Sequence, residues 1–292
     1  MAAPSGRWAR WPGRVVSVLR GRPSLLAALA VLATLVLLAL FAPWLSTHDP
    51  LEIDPLIRLR APSADHWFGT DTLGRDVFSR TILGGRVSLL VGAGVALLSA
   101  ALGLVLGLAS GYFKTADLVI GRVMDGLMAI PAILMAISLI ALTRPDVATV
   151  IVVIAIPEIP RVVRLVRSVV LGLRGEAFVE AAVLSGSSSL AVLLRHIVPN
   201  IAAPLLVQLT FIASVAVMIE AALSFLGVGI PPEQASWGGM VADGRGVYAR
   251  ATWVMLFPGL FLAAMVLAIQ VLGDSVRDLL DPRMRTAVRG IR

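Results

Sequence analysis

The 292-residue sequence contains no cysteine. That absence excludes a disulfide framework, thiolate metal sites and cysteine nucleophiles, and it leaves the compartment unreadable from redox chemistry. Charge is scarce as well, with Asp, Glu, Lys and Arg together at 15% of residues. Intrinsic disorder and coiled coils both need abundant polar or charged side chains, so neither fits. Lys114 is the only lysine among the 25 basic residues, and histidine is limited to His48, His66 and His196. What fills the chain instead is apolar: 58% hydrophobic residues, a further 26 glycines and a mean hydropathy of +0.91. Soluble proteins reach only about 45–50% on nearly the same count with glycine included. A water-facing surface cannot be built from the remainder, and the composition implies a multi-span membrane protein.

A bilayer core of about 30 Å requires about 20 apolar residues per helix. Ser24 to Pro43, Val87 to Ser110, Ile201 to Ile219 and Ala251 to Gly273 carry no ionisable side chain, and Gly126 to Leu142 extends back through Arg122 and Asp125 to a comparable length. A sixth span, starting at Val147 to Pro157, runs into Glu158 and an arginine row at Arg161, Arg164 and Arg167; it is counted because the topology needs it. The expected fold is all-α and polytopic, with six transmembrane helices. The first run follows a basic leader (Arg7, Arg10, Arg14, Arg20, Arg22) as a signal peptide would, but its length exceeds a normal h-region. Pro43 also follows Ala42 where cleavage would be wanted, so the run reads as an uncleaved anchor.

Six spans with a cytoplasmic N-terminus put 1–23, 111–117, 158–200 and 274–292 inside and 44–86, 143–146 and 227–250 outside. Of the 25 basic residues 17 then fall inside when Arg122, just beyond the 111–117 segment, is counted with it, and those in the 44–86 loop are offset by six acids from Asp49 to Asp76. The positive-inside rule therefore places both termini in the cytoplasm. It also assigns the net charge of +7 to topology beside anionic lipid rather than to nucleic acid. The chain divides into a leader (1–23), a first transmembrane helix (24–43), an extracytoplasmic loop with an interfacial helix (44–86), a five-helix core (87–273) and a cytoplasmic tail (274–292).

Chemistry-bearing residues are few. Leu73 to Arg86 reads as an interfacial helix with Arg75, Asp76 and Arg80 on its polar side, either bracing the second span or contacting another protein. Trp237 in the 227–250 loop is either an interfacial anchor or part of an outer mouth. Ionisable residues within spans are functional candidates because lipid makes them costly. Glu220 is expected to face a translocation path or to pair with an arginine or a backbone group. Glu158, at a helix break between Pro157 and Pro160, is expected to pair with Arg161 or Arg122, and Arg122 with Asp125. Ser99, Gly103, Gly107 and Gly111 repeat every four residues as a seam for close helix packing. No serine, histidine and acid converge in a span to suggest a membrane-embedded enzyme. A Walker A loop is missing too, since Lys114 follows Phe113 rather than glycine.

Leu173 to Asn200 reads as helix, turn, helix. Glu176 to Ser185 is helix-forming, Gly186 supplies a left-handed stop, and Ser187 to Ser189 offer N-caps. Phe178, Ala181, Ala182 and Ser185 share a small, weakly apolar face that another backbone can approach closely. Taken alone, the same segment fits an amphipathic hairpin lying on lipid.

This segment resembles the EAA loop of bacterial ABC-importer permeases, in which Glu-Ala-Ala is followed after three residues by Gly and about ten residues later by Ile-x-Pro. The matching residues are Glu180, Ala181, Ala182, Gly186, Ile197 and Pro199, within a loop at about 172–200. FGTDTLGRDVFSRTILGGRVSLLVG from Phe68, ALSFLGVGIPPEQASWGGM from Ala222 and LGDSVRDLLDPRMR from Leu272 are similar to blocks of the C-type dipeptide, oligopeptide and nickel permeases. Two departures stand out: Val183 replaces a usually basic residue, and IPEIPRVV replaces an aromatic approach to the loop.

The resemblance implies a type I ABC importer permease fold in a bacterial inner membrane, with the EAA loop docking on an ATPase. It implies a second permease subunit, two ATP-binding subunits holding ATP and Mg, and an extracytoplasmic substrate-binding protein, for which Arg75, Asp76, Arg80 and Trp237 are contact candidates. This chain would bind no cofactor and hydrolyse nothing itself. Glu220 and Glu158 are the translocation-path candidates. Peptides are favoured over nickel because no histidine or cysteine lies in a span. A nickel or other small-solute importer permease is the alternative, and an ion-coupled secondary transporter fits poorly without an internal repeat.

Overall fold

A computed structural model describes residues 23–143 and 146–280. The leader arginines at 7–22 and the tail from residue 281 onward, on which much of the orientation argument rests, lie outside the described residues. Within them the chain is helical: α1 Pro23–Leu40, α2 Ala42–Leu45, α3 Val77–Tyr112, α4 Lys114–Met128, α5 Ala132–Ala141, α6 Val147–Arg174, α7 Ala177–Leu184, α8 Ser189–Val192, α9 Val198–Phe225, α10 Trp237–Gly244 and α11 Trp253–Leu280.

Four helices are long and apolar enough to cross a membrane: α1, α3, the continuous stretch Ser189–Phe225, and α11. The pair α4 and α5, bent by 87° at its break, makes a fifth when taken as one span. Helix α6 has 28 residues, about 42 Å at 1.5 Å per residue, so length does not exclude it. Its row of Glu158, Arg161, Arg164 and Arg167 does break the apolar run. The helix break expected at Pro157 and Pro160 does not occur, because α6 runs through both prolines. Each removes a backbone donor at a cost of about 3 kcal/mol, which packing against α3 offsets.

That packing is the most extensive between any two of the described helices. A Cβ placed on Gly107 or Gly111 would stand 2.6 Å from the Cβ of Val166 or Val170, and Gly103 meets Val162 still more closely. The Ser99 hydroxyl extends the row by donating to the Ala155 carbonyl at 3.3 Å. The seam expected at Ser99, Gly103, Gly107 and Gly111 therefore faces α6. Asp125 pairs across to Arg164 at 2.7 Å and not with Arg122, because α4 lies against α6 and the longer reach finds a neighbour there.

At the other end of α3 the loop after α2 folds into a cap. The expected interfacial helix over Leu73 to Arg86 is not a separate element: α3 begins at Val77 and continues to Tyr112, with Asp76 as its N-cap accepting from Ser79 N–H at 2.7 Å. Arg75, Asp76, Arg80 and Trp237 are all buried, so none offers its side chain as an external contact. Arg75 Nε donates to Asp71 Oδ2 at 2.6 Å and its Nη2 to Asp243 at 3.3 Å, while Arg80 Nη1 donates to the Pro50 carbonyl at 3.3 Å. Asp71 further accepts from the backbone of Leu73 and Arg75. Burial holds the Asp243 carboxyl above the usual range, with Arg75 and Arg80 opposing that shift.

Trp237 is wedged between α3 and α11. Its indole N–H donates to the Thr81 carbonyl at 2.7 Å, and its ring lies 6.0 Å from that of Phe261. Phe68 stacks on Phe257 at 3.9 Å, fastening the loop to α11.

Gly107→Leu is expected to destabilise the chain by at least the ~1–3 kcal/mol typical of overpacking, read as a lower thermal midpoint in detergent. Gly121→Leu, at a position with open space around it, should leave that midpoint unchanged. Asp71→Asn removes the charge that lies 2.6 Å from Arg75 Nε and 3.8 Å from Arg80 Nε, and is expected to cost about 3–5 kcal/mol. Asp243→Asn removes a more exposed carboxylate that burial already disfavours when charged, so its loss in the same melt should be much smaller.

Candidate functional site

The hairpin between α6 and α9 is built from local signals that agree with one another. Helix α7 ends at Leu184, and Gly186 follows with φ +80°. The Ser187 N–H bonds the Ala182 carbonyl at 3.1 Å and the Gly186 N–H bonds that of Val183 at 3.0 Å. This is a Schellman stop, which needs the left-handed residue that glycine supplies without penalty. Nothing lies within 4 Å of a Cβ built on Gly186, so backbone conformation alone makes the demand. The Ser188 hydroxyl then caps α8 by accepting from Ala191 N–H at 3.3 Å.

After α8 the chain passes through a single π turn, Leu193–Ile197, into α9. The π turn sits just before Pro199, whose ring would otherwise clash with the Arg195 carbonyl one turn back. The helix that begins at Ser189 thus becomes the span ending at Phe225 without a break.

Val179, Val192, Leu193 and Ile197 are buried and fix the hairpin to the main core. Glu180 and Ala181 are exposed on α7, Ala182 is half-buried, and Pro199 is exposed. Phe178, Val183, Leu184, Leu190 and Leu194 form an exposed apolar rim, with Leu184 at 87%. The helical face read from the sequence included Phe178 but not the four rim residues after it. Their signal was a cluster of large apolar side chains around a glycine turn. Arrayed on one projecting hairpin, such residues mark an interaction surface.

The two acidic span residues sit differently. Glu158 is buried and accepts from Arg161 Nη1 at 3.1 and 3.0 Å, one of the two pairings expected. Glu220 is fully buried, and its Oε1 accepts from the Ser224 and Ser236 hydroxyls, each at 2.9 Å. Its partners are hydroxyl groups rather than the arginine or backbone group expected as the alternative to a place on the translocation path. Glu220 Oε2 has no hydrogen-bond partner among the described residues. Ser236 also caps α10 through Gly239 N–H, so Glu220 ties α9 to the cap. Both serines line a cavity of about 320 Å³ together with Arg80 and Asp243, and Glu220 does not.

Residues 99–286 match the family described as binding-protein-dependent transport system inner membrane component, and residues 11–62 match the N-terminal transmembrane domain of oligopeptide transport permease C. The "Probable peptide ABC transporter permease protein y4tQ" of Sinorhizobium fredii is 51% identical over 93% of both chains. The dipeptide transport system permease protein DppC of Alkalihalophilus pseudofirmus is 40% identical over 89% of this chain and 86% of its own. The oligopeptide transport system permease protein OppC of Bacillus subtilis is 37% identical over 92% and 89%. Among solved structures, an inward-facing conformation of the MetNI methionine ABC transporter superposes with a TM-score of 0.53 at 18% identity, covering 66% of this chain and 94% of that one. That likeness concerns fold alone. With a family match spanning most of the helical core and relatives aligned nearly end to end, this chain belongs to the binding-protein-dependent transport system inner membrane components, the permease subunits of bacterial inner-membrane ABC importers.

Proposed function

We propose that this chain forms one half of the translocation path of an ATP-driven importer of di- or oligopeptides, and that the hairpin centred on Gly186 couples it to a separate ATPase. The observation that carries this reading is the hairpin: an exposed apolar rim on a glycine-stopped turn, continuous through one π turn with a membrane span. A push on α7 and α8 is transmitted along Ser189–Phe225, which packs on α3, α6 and α11. Ala181 and the half-buried Ala182 keep the face low enough to seat in a groove, and exposed Glu180 is free to pair with a basic side chain there. The names of the relatives, dipeptide and oligopeptide permeases, support peptides as cargo.

Six spans follow when α6 is counted with the five apolar ones, its Glu158 neutralised by Arg161. On that count the chain divides into leader 1–23, span 24–43, loop 44–86, core 87–273 and tail 274–292, with both termini cytoplasmic. A second permease subunit completes the path, two ATPases hold ATP and Mg and perform the hydrolysis, and an extracytoplasmic binding protein delivers cargo. With Arg75, Asp76, Arg80 and Trp237 buried, its contact falls on the exposed face of the loop, which includes Leu51, Ile53 and Leu56. ATP-driven closure of the ATPases draws the hairpins together and opens the path outward. Hydrolysis returns it inward.

Leu184→Asp is expected to reduce co-purification of the ATPase by about tenfold or more, as loss of an interface anchor does, without lowering the chain's own thermal midpoint. Gly186→Pro should abolish ATP-driven uptake while the protein remains in the membrane; normal uptake by that variant would sink the coupling role. For the cargo, the binding protein that co-purifies should retain peptides from a panel of peptides and metal ions, and retention of nickel alone would overturn the peptide assignment.

A further inference from the structure

The cap brings together the two histidines outside the hairpin. His48 follows α2, His66 lies midway along the loop, and Asp76 ends it at the start of α3. The two imidazole rings are 4.4 Å apart and tilted by 32°. His66 Nδ1 is 3.0 Å from Asp76 Oδ1, and His48 Nδ1 is 4.0 Å from the same oxygen. One ligand-type atom from each of the three residues lies within 4.8 Å of the others. Their spacing along the chain matches no metal-ligand motif, so only folding reveals the set.

The two oxygens of Asp76 do separate jobs. Oδ2 caps α3 through Ser79 N–H at 2.7 Å, which leaves Oδ1 facing the imidazoles. His66 alone is enough to satisfy that oxygen, yet a second ring stands beside it, the Nδ1 of His48 lying 4.0 Å from the oxygen and 3.1 Å from Thr47 Oγ1. The backbone beneath each ring is held, His48 N–H donating to Ser79 Oγ at 3.2 Å and His66 N–H to Ser63 Oγ at 3.1 Å. A cavity of about 150 Å³ opens beside the three residues, and its lining adds the carboxylates of Asp49, Glu52 and Asp54. The mouth therefore attracts cations while the inner end offers nitrogen.

We propose that His48, His66 and Asp76 bind a divalent d-block cation of the zinc class, which clips the segment after α1 to the first turn of α3. Two imidazoles and one carboxylate suit Zn²⁺, Co²⁺ or Ni²⁺, whereas Mg²⁺ and Ca²⁺ take oxygen ligands. Metal–ligand bonds of about 2.0–2.2 Å bring such atoms to roughly 3–3.5 Å from one another, so His48, the most exposed of the three at 37%, is the residue that closes in. Any proton held between His66 Nδ1 and Asp76 leaves to solvent when the metal binds.

The test uses the full chain in detergent, purified without a histidine tag and titrated with Co²⁺. One equivalent should bind with the ligand-field absorption of a nitrogen-ligated, low-coordinate ion, and Zn²⁺ should displace it. His48→Ala and His66→Ala should each weaken binding by more than the ~10–100-fold typical of losing an outer partner. Asp76→Asn keeps a capping side chain and should weaken it as well, with an unchanged far-UV helical spectrum. His196→Ala, at the hairpin, should bind as the parent does. The proposal is overturned if the parent shows no such absorption, if binding survives both histidine substitutions, or if His196→Ala loses it equally.

Discussion

The contact on which the rest of the structure depends is the seam between α3 and α6, where Gly103, Gly107 and Gly111 receive Val162, Val166 and Val170. In lipid the tails are as apolar as the side chains, so helices gain little by hiding hydrophobic surface and associate through close packing instead. Glycine at every fourth position lets the backbones approach until valine methyl groups fill the gap. This contact holds α6 in place despite two internal prolines and a row of charged residues. Once α6 is held, Glu158 is satisfied by Arg161, Asp125 by Arg164, and Asp117 by Arg167 at 2.6 Å.

The two ends of that scaffold solve different problems. At the cap, charged side chains are buried and must be paired. Asp71 serves Arg75 and two backbone donors, Arg80 reaches a carbonyl, and Asp76 divides its oxygens between the helix cap and the histidines. Such a network fixes the loop over α3 and α11 and leaves little freedom there. At the hairpin almost nothing is paired and the rim is apolar. Four buried residues anchor it, and its outward face is left for another surface. The cap is thus paired internally, while the hairpin carries an exposed apolar rim and runs by helix into a membrane span.

The hairpin was legible because its signals are local. Gly186 as a left-handed stop, a serine N-cap and the helix over Glu176 to Ser185 each depend on a few neighbouring residues, and the structure has all three. The glycine seam was legible as a period of four, although its partner was not, since nothing in a linear pattern says which helix lies opposite. The cap is not legible in the sequence for the same reason. Arg75, Asp76 and Arg80 are spaced as on the polar side of a surface helix, but the folded loop covers Asp76 and Arg80 through His66 and Pro50, and residues 232–243 return from far along the chain to cover Arg75. Glu220 shows the limit again: its partner Ser236 comes from the next element, so its pairing depends on a loop conformation rather than on spacing.

Composition by itself determined that this chain is a membrane protein, because 15% charge cannot cover a water-facing surface, and the EAA loop with the block from Phe68 pointed to its family. Tertiary structure alone decided which ionisable groups are internal, which glycines meet which valines, and that His48 and His66 lie side by side next to Asp76. Membrane insertion depends on quantities that add up along the chain, such as hydropathy and charge. Pairing depends on short-range contacts between residues that only the fold brings within a few ångströms.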